Sequence, residues 1–117
     1  MKMKIQYIFF VPLFILMCTS CRKYDQKLVI TDVGTSQVIK LHKKPKQGGI
    51  VSMGIRGSGN LNGEAQIILP YKTEQINGKV SFNWGGDWYS DTMELRYQPI
   101  NANSGILVIE YSFYDLK

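Results

Sequence analysis

Gly78-Lys79-Val80-Ser81-Phe82-Asn83-Trp84 and Thr92-Met93-Glu94-Leu95-Arg96-Tyr97-Gln98 decide the class of fold. In the first stretch Val80, Phe82 and Trp84 alternate with Lys79, Ser81 and Asn83. In the second Met93, Leu95 and Tyr97 alternate with Thr92, Glu94, Arg96 and Gln98. A period of two is that of a strand with one face in a core and the other in water. Ala65, Ile67 and Leu69 repeat the pattern upstream.

Working outward, short runs of the same kind recur from Lys27 onward, separated by Gly, Asn, Pro and Asp, and no helical period competes with them. Strands are expected near 27–33, 37–43, 50–57, 64–70, 78–84, 92–98 and 105–113. Ile106–Ile109 is apolar on both faces, which places the last strand inside its sheet rather than at an edge. Gly and Asn in the connections supply positive φ, and Asn or Ser bonds the local backbone. Asn62-Gly63 reads as a tight hairpin turn; Asn77-Gly78 reads as a second turn or as the entry to a strand. Seven short strands at roughly twelve-residue spacing predict an all-β fold, a small two-sheet antiparallel β-sandwich, immunoglobulin-like or jelly-roll-like, with a small barrel as the alternative.

The first residues have another character. Lys2 and Lys4 precede the apolar run Ile5–Met17, which Gln6 and Pro12 interrupt, and Cys18-Thr19-Ser20-Cys21 follows. The run falls short of the roughly twenty apolar residues that cross a bilayer, so it reads as an export signal rather than a permanent span. It resembles the bacterial lipoprotein signal peptides, whose cleavage box ends in a small residue directly before a cysteine. The resemblance implies cleavage between Ser20 and Cys21 and a diacylglycerol on the Cys21 sulfur. Cys18 does not fit that role, because bulky Met17 precedes it. The resemblance also implies an outer-membrane lipoprotein, since Arg22 rather than Asp follows the cysteine. Two or three acyl chains hold a domain durably where one holds it marginally. The expected organisation is a lipoprotein signal peptide over 1–20, a lipidated tether over 21–26 and one β-domain over 27–117.

Size and composition bound the rest. Residues 21–117 make one domain, and with Cys18 removed and Cys21 lipidated no disulfide is available to staple it, so the core must supply the stability. The formal charge of +5 overstates the exported form, which loses Lys2 and Lys4. Arg22, Lys23, Lys27, Lys40, Lys43, Lys44 and Lys46 all precede position 47, against Asp25 and Asp32, so the basic character belongs to the tethered end, beside anionic head groups. A short basic cluster on an exported chain does not suit nucleic acid.

The common catalytic constellations lack their parts. His42 is the lone histidine, set among lysines on a strand, and no Gly-x-Ser-x-Gly elbow presents a nucleophile. Asp87 with Asp91 or Glu94 is the nearest carboxylate pair for glycoside chemistry, but acids on exported loops are more commonly turn formers or calcium ligands. The expectation is a non-enzyme with no cofactor and no resident metal.

One cluster stands out: Asn83-Trp84-Gly85-Gly86-Asp87-Trp88-Tyr89-Ser90-Asp91. Two indoles, a phenol and two carboxylates on a glycine-hinged loop suit a sugar, by stacking and hydroxyl bonding, and equally suit a protein interface. The structural alternative is that a tryptophan plugs the open end of the fold and that Tyr97 or Tyr89 ties down a loop through its hydroxyl. Trp84, Asp87, Trp88, Tyr89 and Asp91 are therefore the candidate ligand- or partner-binding residues. The expected function is binding at the cell envelope, to a protein or to a glycan as a carbohydrate-binding module; a toxin-blocking immunity-type role is a further alternative.

Overall fold

The computed structural model describes residues 24–116, and all of their regular structure is strand. The expected signal peptide, its cleavage box and Cys21 lie outside the described residues. Six strands follow in order: β1 (Gln26–Ile30), β2 (Gln37–His42), β3 (Ile50–Leu69), β4 (Lys72–Asp87), β5 (Thr92–Pro99) and β6 (Ser104–Asp115). Every pairing is antiparallel. All six strands join in one curled sheet rather than in two separately bonded ones, in the order β1-β6-β3-β5-β2 with β4 along the other side of β3. Apart from β1, which ends at Ile30, the strands near 37–43, 92–98 and 105–113 lie close to where alternation puts them, and β6 sits between β1 and β3 as its two-faced apolarity predicts.

Seven expected strands become six because the stretches 50–57 and 64–70 are halves of one. Asn62-Gly63 does not reverse the chain. It interrupts the β3–β4 ladder, where Leu61 pairs with Gly78 and Glu64 with Asn77, leaving Asn62 and Gly63 as extra residues on β3. The second Asn-Gly, Asn77-Gly78, thus lies opposite the first. The hairpin turn is Pro70-Tyr71, and the polar run 72–75 is already strand. No non-glycine among the described residues has positive φ, so this turn is of a type that Pro70, with φ fixed near −65°, can begin.

The interruption is a hinge. Sixteen residues of β4 would extend about 50 Å if straight. Instead the tip of the hairpin returns to its base, and the Tyr71 ring lies 5.8 Å from that of Trp88. Gly63, at φ +112°, takes the bend, and a Cβ there would sit 2.8 Å from the Cα of Ala102. The β5–β6 connection clasps it. The carbonyl of Glu64 accepts the N–H groups of Ile100, Asn101 and Ala102 at 2.9, 3.1 and 3.1 Å, and that of Asn62 accepts Asn103 N–H at 3.1 Å. The Asn101 side chain in turn accepts the Glu64 N–H at 2.6 Å.

Folding at the hinge divides the curled sheet into two half-sheets, β1-β6-β3 (first half)-β4 (second half) and β2-β5-β3 (second half)-β4 (first half). The inner positions of both form one core: Met53, Ile55, Val80, Phe82, Leu107, Ile109 and Phe113 from the first, Leu41, Ala65, Ile67, Leu69, Met93, Leu95 and Tyr97 from the second. With no helix among the described residues to cover it, the curled sheet closes on its own inner face as a half-barrel of six strands rather than the expected two-sheet sandwich. At about 25 cal/mol per Å² of apolar surface, this shared core is the main source of stability.

Tyr97 joins the first connection to the core. Its buried hydroxyl donates to the Val33 carbonyl in the β1–β2 loop at 2.6 Å, the loop-tying role expected of Tyr97 or Tyr89. Burial raises the Tyr97 phenol above the ordinary tyrosine value, and burial with the nearby Asp25 charge raises Tyr111. The folded state therefore holds these protons more tightly than the unfolded chain. Their stabilisation is complete below about pH 10 and is lost as pH rises through the folded values.

Two outcomes are expected. Gly63→Ala, which forces a side chain into the clasp at an unfavourable φ, lowers unfolding free energy by about 3 kcal/mol or more, whereas Gly78→Ala, with open space around it, costs about 1–2 kcal/mol. Urea titrations of both variants measure the difference. Tyr97→Phe strands the Val33 carbonyl at a cost of about 1–3 kcal/mol and makes the loss of stability above pH 10 shallower, read from melting temperature against pH.

Candidate functional site

The expected aromatic cluster forms, but not on one loop. β4 runs on through Trp84, Gly85, Gly86 and Asp87, so only residues 88–91 connect it to β5. Trp84 lies on the inner face and is half-buried against the core, as is Trp88. Their rings meet edge to face, with centroids 6.5 Å apart and planes at 87°. Trp88 spends its indole N–H on the Thr92 carbonyl at 2.9 Å, which pins the short connection across its own turn. These two tryptophans close the end of the core.

The exposed part of the site is tyrosine. Tyr89 is 74% exposed, and Tyr71, at the hairpin tip, is 75% exposed while its ring stands at 76° to that of Trp88. Tyr71, Asp87, Trp88, Tyr89 and Ser90 line a groove of about 530 Å³. Sequence reasoning missed Tyr71 because it lies in a turn 17 residues before Trp88, outside any contiguous cluster; an aromatic directly after a turn proline is the signal it left.

The two aspartates part company. Asp91 is drawn to β2: its carboxylate lies 3.5 Å from the Lys43 ammonium and its carbonyl accepts Lys43 N–H at 2.9 Å. Asp87 stays exposed on the groove. Glu94, the other carboxylate considered for acid–base work, pairs with Arg96 at 3.0 Å. His42 is exposed at the end of β2, its carbonyl accepting the Gln26 side chain at 3.1 Å. Among the described residues no three His, Cys, Asp or Glu side chains converge on a common point.

The start of the described chain packs at the same end of the molecule, since Gln26, Tyr111, Ile55 and Trp84 share one row across the half-sheet. Of the expected tether 21–26, residues 24–26 are already docked. Tyr24 lies over Gly54 with the Arg56 guanidinium 5.3 Å from its ring centre, and Arg56 pairs with Glu110. Asp25 brackets Ser112, its N–H donating to the hydroxyl at 2.9 Å and its carboxylate accepting from it at 3.0 Å. Asp25 also binds Lys44 at 2.8 Å, and that bond holds the Lys44 ammonium above its ordinary value.

No family model and no curated protein matches the chain. Among solved structures it is similar to a de novo designed double-stranded β-helix determined by solution NMR. The identity is 12%, the TM-score 0.48, and the likeness covers 75% of this chain and 100% of that one.

The geometry separates support from contact. Trp88→Ala opens the end of the core and releases the Thr92 carbonyl, and is expected to cost about 2–3 kcal/mol. Tyr71→Ala and Tyr89→Ala remove mostly exposed rings and are expected to stay within about 0.5 kcal/mol of the parent. Chemical denaturation of the three variants checks this ranking.

Proposed function

We propose that this chain is a cell-envelope lipoprotein, anchored through Cys21 in the outer membrane, that acts by binding a protein partner at the Tyr71–Trp88–Tyr89 groove. The observation that carries the reading is the return of the hairpin tip to its base, which sets exposed Tyr71 and Tyr89 around Asp87 on a pinned tryptophan floor. Rigid, amphipathic aromatics of this kind contribute disproportionately to protein interfaces. The scaffold in this reading is layered like a sandwich, two half-sheets face to face, with the connection between β4 and β5 serving as the contact loop.

A protein partner is favoured over a glycan by the arrangement of the rings. Sugar stacking uses an open, flat aromatic face, whereas Trp84 and Trp88 stand nearly perpendicular and half-buried, and the Trp88 N–H is already engaged. Position adds to this. Two residues, Arg22 and Lys23, lie between Cys21 and Tyr24, at most about 11 Å of chain, so a lipid on Cys21 holds the groove end close to the bilayer. That favours a partner that itself lies at the membrane surface. The carbohydrate-binding alternative keeps the exposed Tyr89 face beside Asp87 and Ser90 as its support.

A photo-crosslinking amino acid at position 89, in cells making the full chain, tests the reading. The expected result is a protein adduct of discrete mass that fades when Tyr71→Ala is added, consistent with a loss of about tenfold in affinity. Absence of an adduct, together with a saturable change in tryptophan emission on titration with an oligosaccharide panel, would transfer the site to the glycan reading. Fatty-acid labelling of the wild type and of Cys21→Ser tests the anchor separately: label on the first and none on the second is the expected pattern.

A further inference from the structure

The longest open edge of the sheet belongs to β4. Among the described residues its sixteen positions bond only to β3, whereas the other two edges are the five residues of β1 and the six of β2, bridged at one end by Gln26 reaching His42. The phase of the ladder is set by three carbonyls. The carbonyls of Asn62 and Glu64 turn away from β4 toward the 100–103 connection, while Val51 accepts the Trp88 N–H at 3.2 Å. Alternation then aims the N–H and C=O groups of Lys79, Ser81, Asn83 and Gly85 away from β3. Natural edges of such length are usually blunted by proline, by several charges or by a cover; here 72–87 contains no proline, and Lys79 is the lone charged side chain on the outer face between Gln75 and Gly85.

We propose that β4 is the contact strand of a homodimer in which two copies pair antiparallel about a two-fold axis at Asn83. That register is the one the charges select. Lys79 and Asp87, neither of them in an ion pair within the described residues, stand four positions before and four positions after Asn83 on the same face. The two-fold sets the Lys79 of each copy opposite the Asp87 of the other. It also sets Phe82 opposite Trp84 on the inner face, and Ser81 opposite Gly85, where the small side chains let the backbones close. An axis at Lys79 would instead place two ammonium groups face to face. Opposite charges and aromatic pairs directly across an antiparallel ladder are both favourable, and like charges are not. The pairing extends each half-sheet into its counterpart and brings a lysine of the second copy to Asp87 at the rim of each groove.

Charge reversal tests both the contact and its register. Detergent-solubilised full-length protein is expected to sediment as a dimer. Lys79→Glu alone and Asp87→Lys alone, each of which places like charges opposite one another, are expected to weaken the dimer at least tenfold, and the double swap Lys79→Glu/Asp87→Lys to restore it. Circular dichroism melts of the same samples show that each variant is folded. As a second measurement, Asn83→Cys puts two thiols on the axis at a Cα separation of about 5.5 Å, within disulfide range, so mild oxidation should give a covalent dimer beyond the wild-type background. A wild type that stays monomeric at all concentrations tested, or a dimer indifferent to both single reversals, overturns the proposal.

Discussion

Everything in this molecule depends on the bend in one hairpin being held closed. β3 and β4 form a ladder too long for a small domain, and a straight version would leave both half-sheets with an apolar face in water. The Glu64 carbonyl, gathering three N–H groups of the β5–β6 connection, fixes the bend from outside while the shared core draws the halves together from inside. A single carbonyl bond contributes about 1 kcal/mol net, far less than the core does, so the clasp acts by specifying the angle and the core by providing the driving force.

The site is a product of the same fold. Tyr71 and Trp88 are adjacent only because the hairpin tip comes back to its base, and Tyr89 and Asp87 border the groove only because Trp88 is held to Thr92. The docked N-terminal residues reinforce this end, with Tyr24 covering Gly54 on the outer face and Asp25 satisfying Ser112, the one buried polar residue among those described.

Side-chain alternation was legible in the sequence, and so was every core position it marked in β4, β5 and the second half of β3. That signal is local, set by which face of a strand meets apolar neighbours. What alternation cannot carry is whether an Asn-Gly reverses a chain or merely bends it. At Asn62-Gly63 the flanking strands looked like two arms of a hairpin. The outcome depends on the distant 100–103 connection, whose N–H groups take the Asn62 and Glu64 carbonyls. Tyr71 was hidden for the same reason: its contact with Trp88 exists only after the bend. Trp84 and Trp88 do meet, but across a strand end rather than within a loop, since Gly85-Gly86 suggests flexibility in one dimension and is the end of a strand in three.

The interruption in β3 adds two residues, not one, and that number carries a consequence for how the chain tolerates change. An even insertion leaves Leu61, Ala65, Ile67 and Leu69 on one side of the strand, whereas an odd one, unless a bulge absorbed it, would turn the distal half inside out and present its oily side to solvent. Length change at the hinge thus has two routes: a pair of residues keeps the inward row by parity alone, whereas a single residue has to be taken up in a bulge.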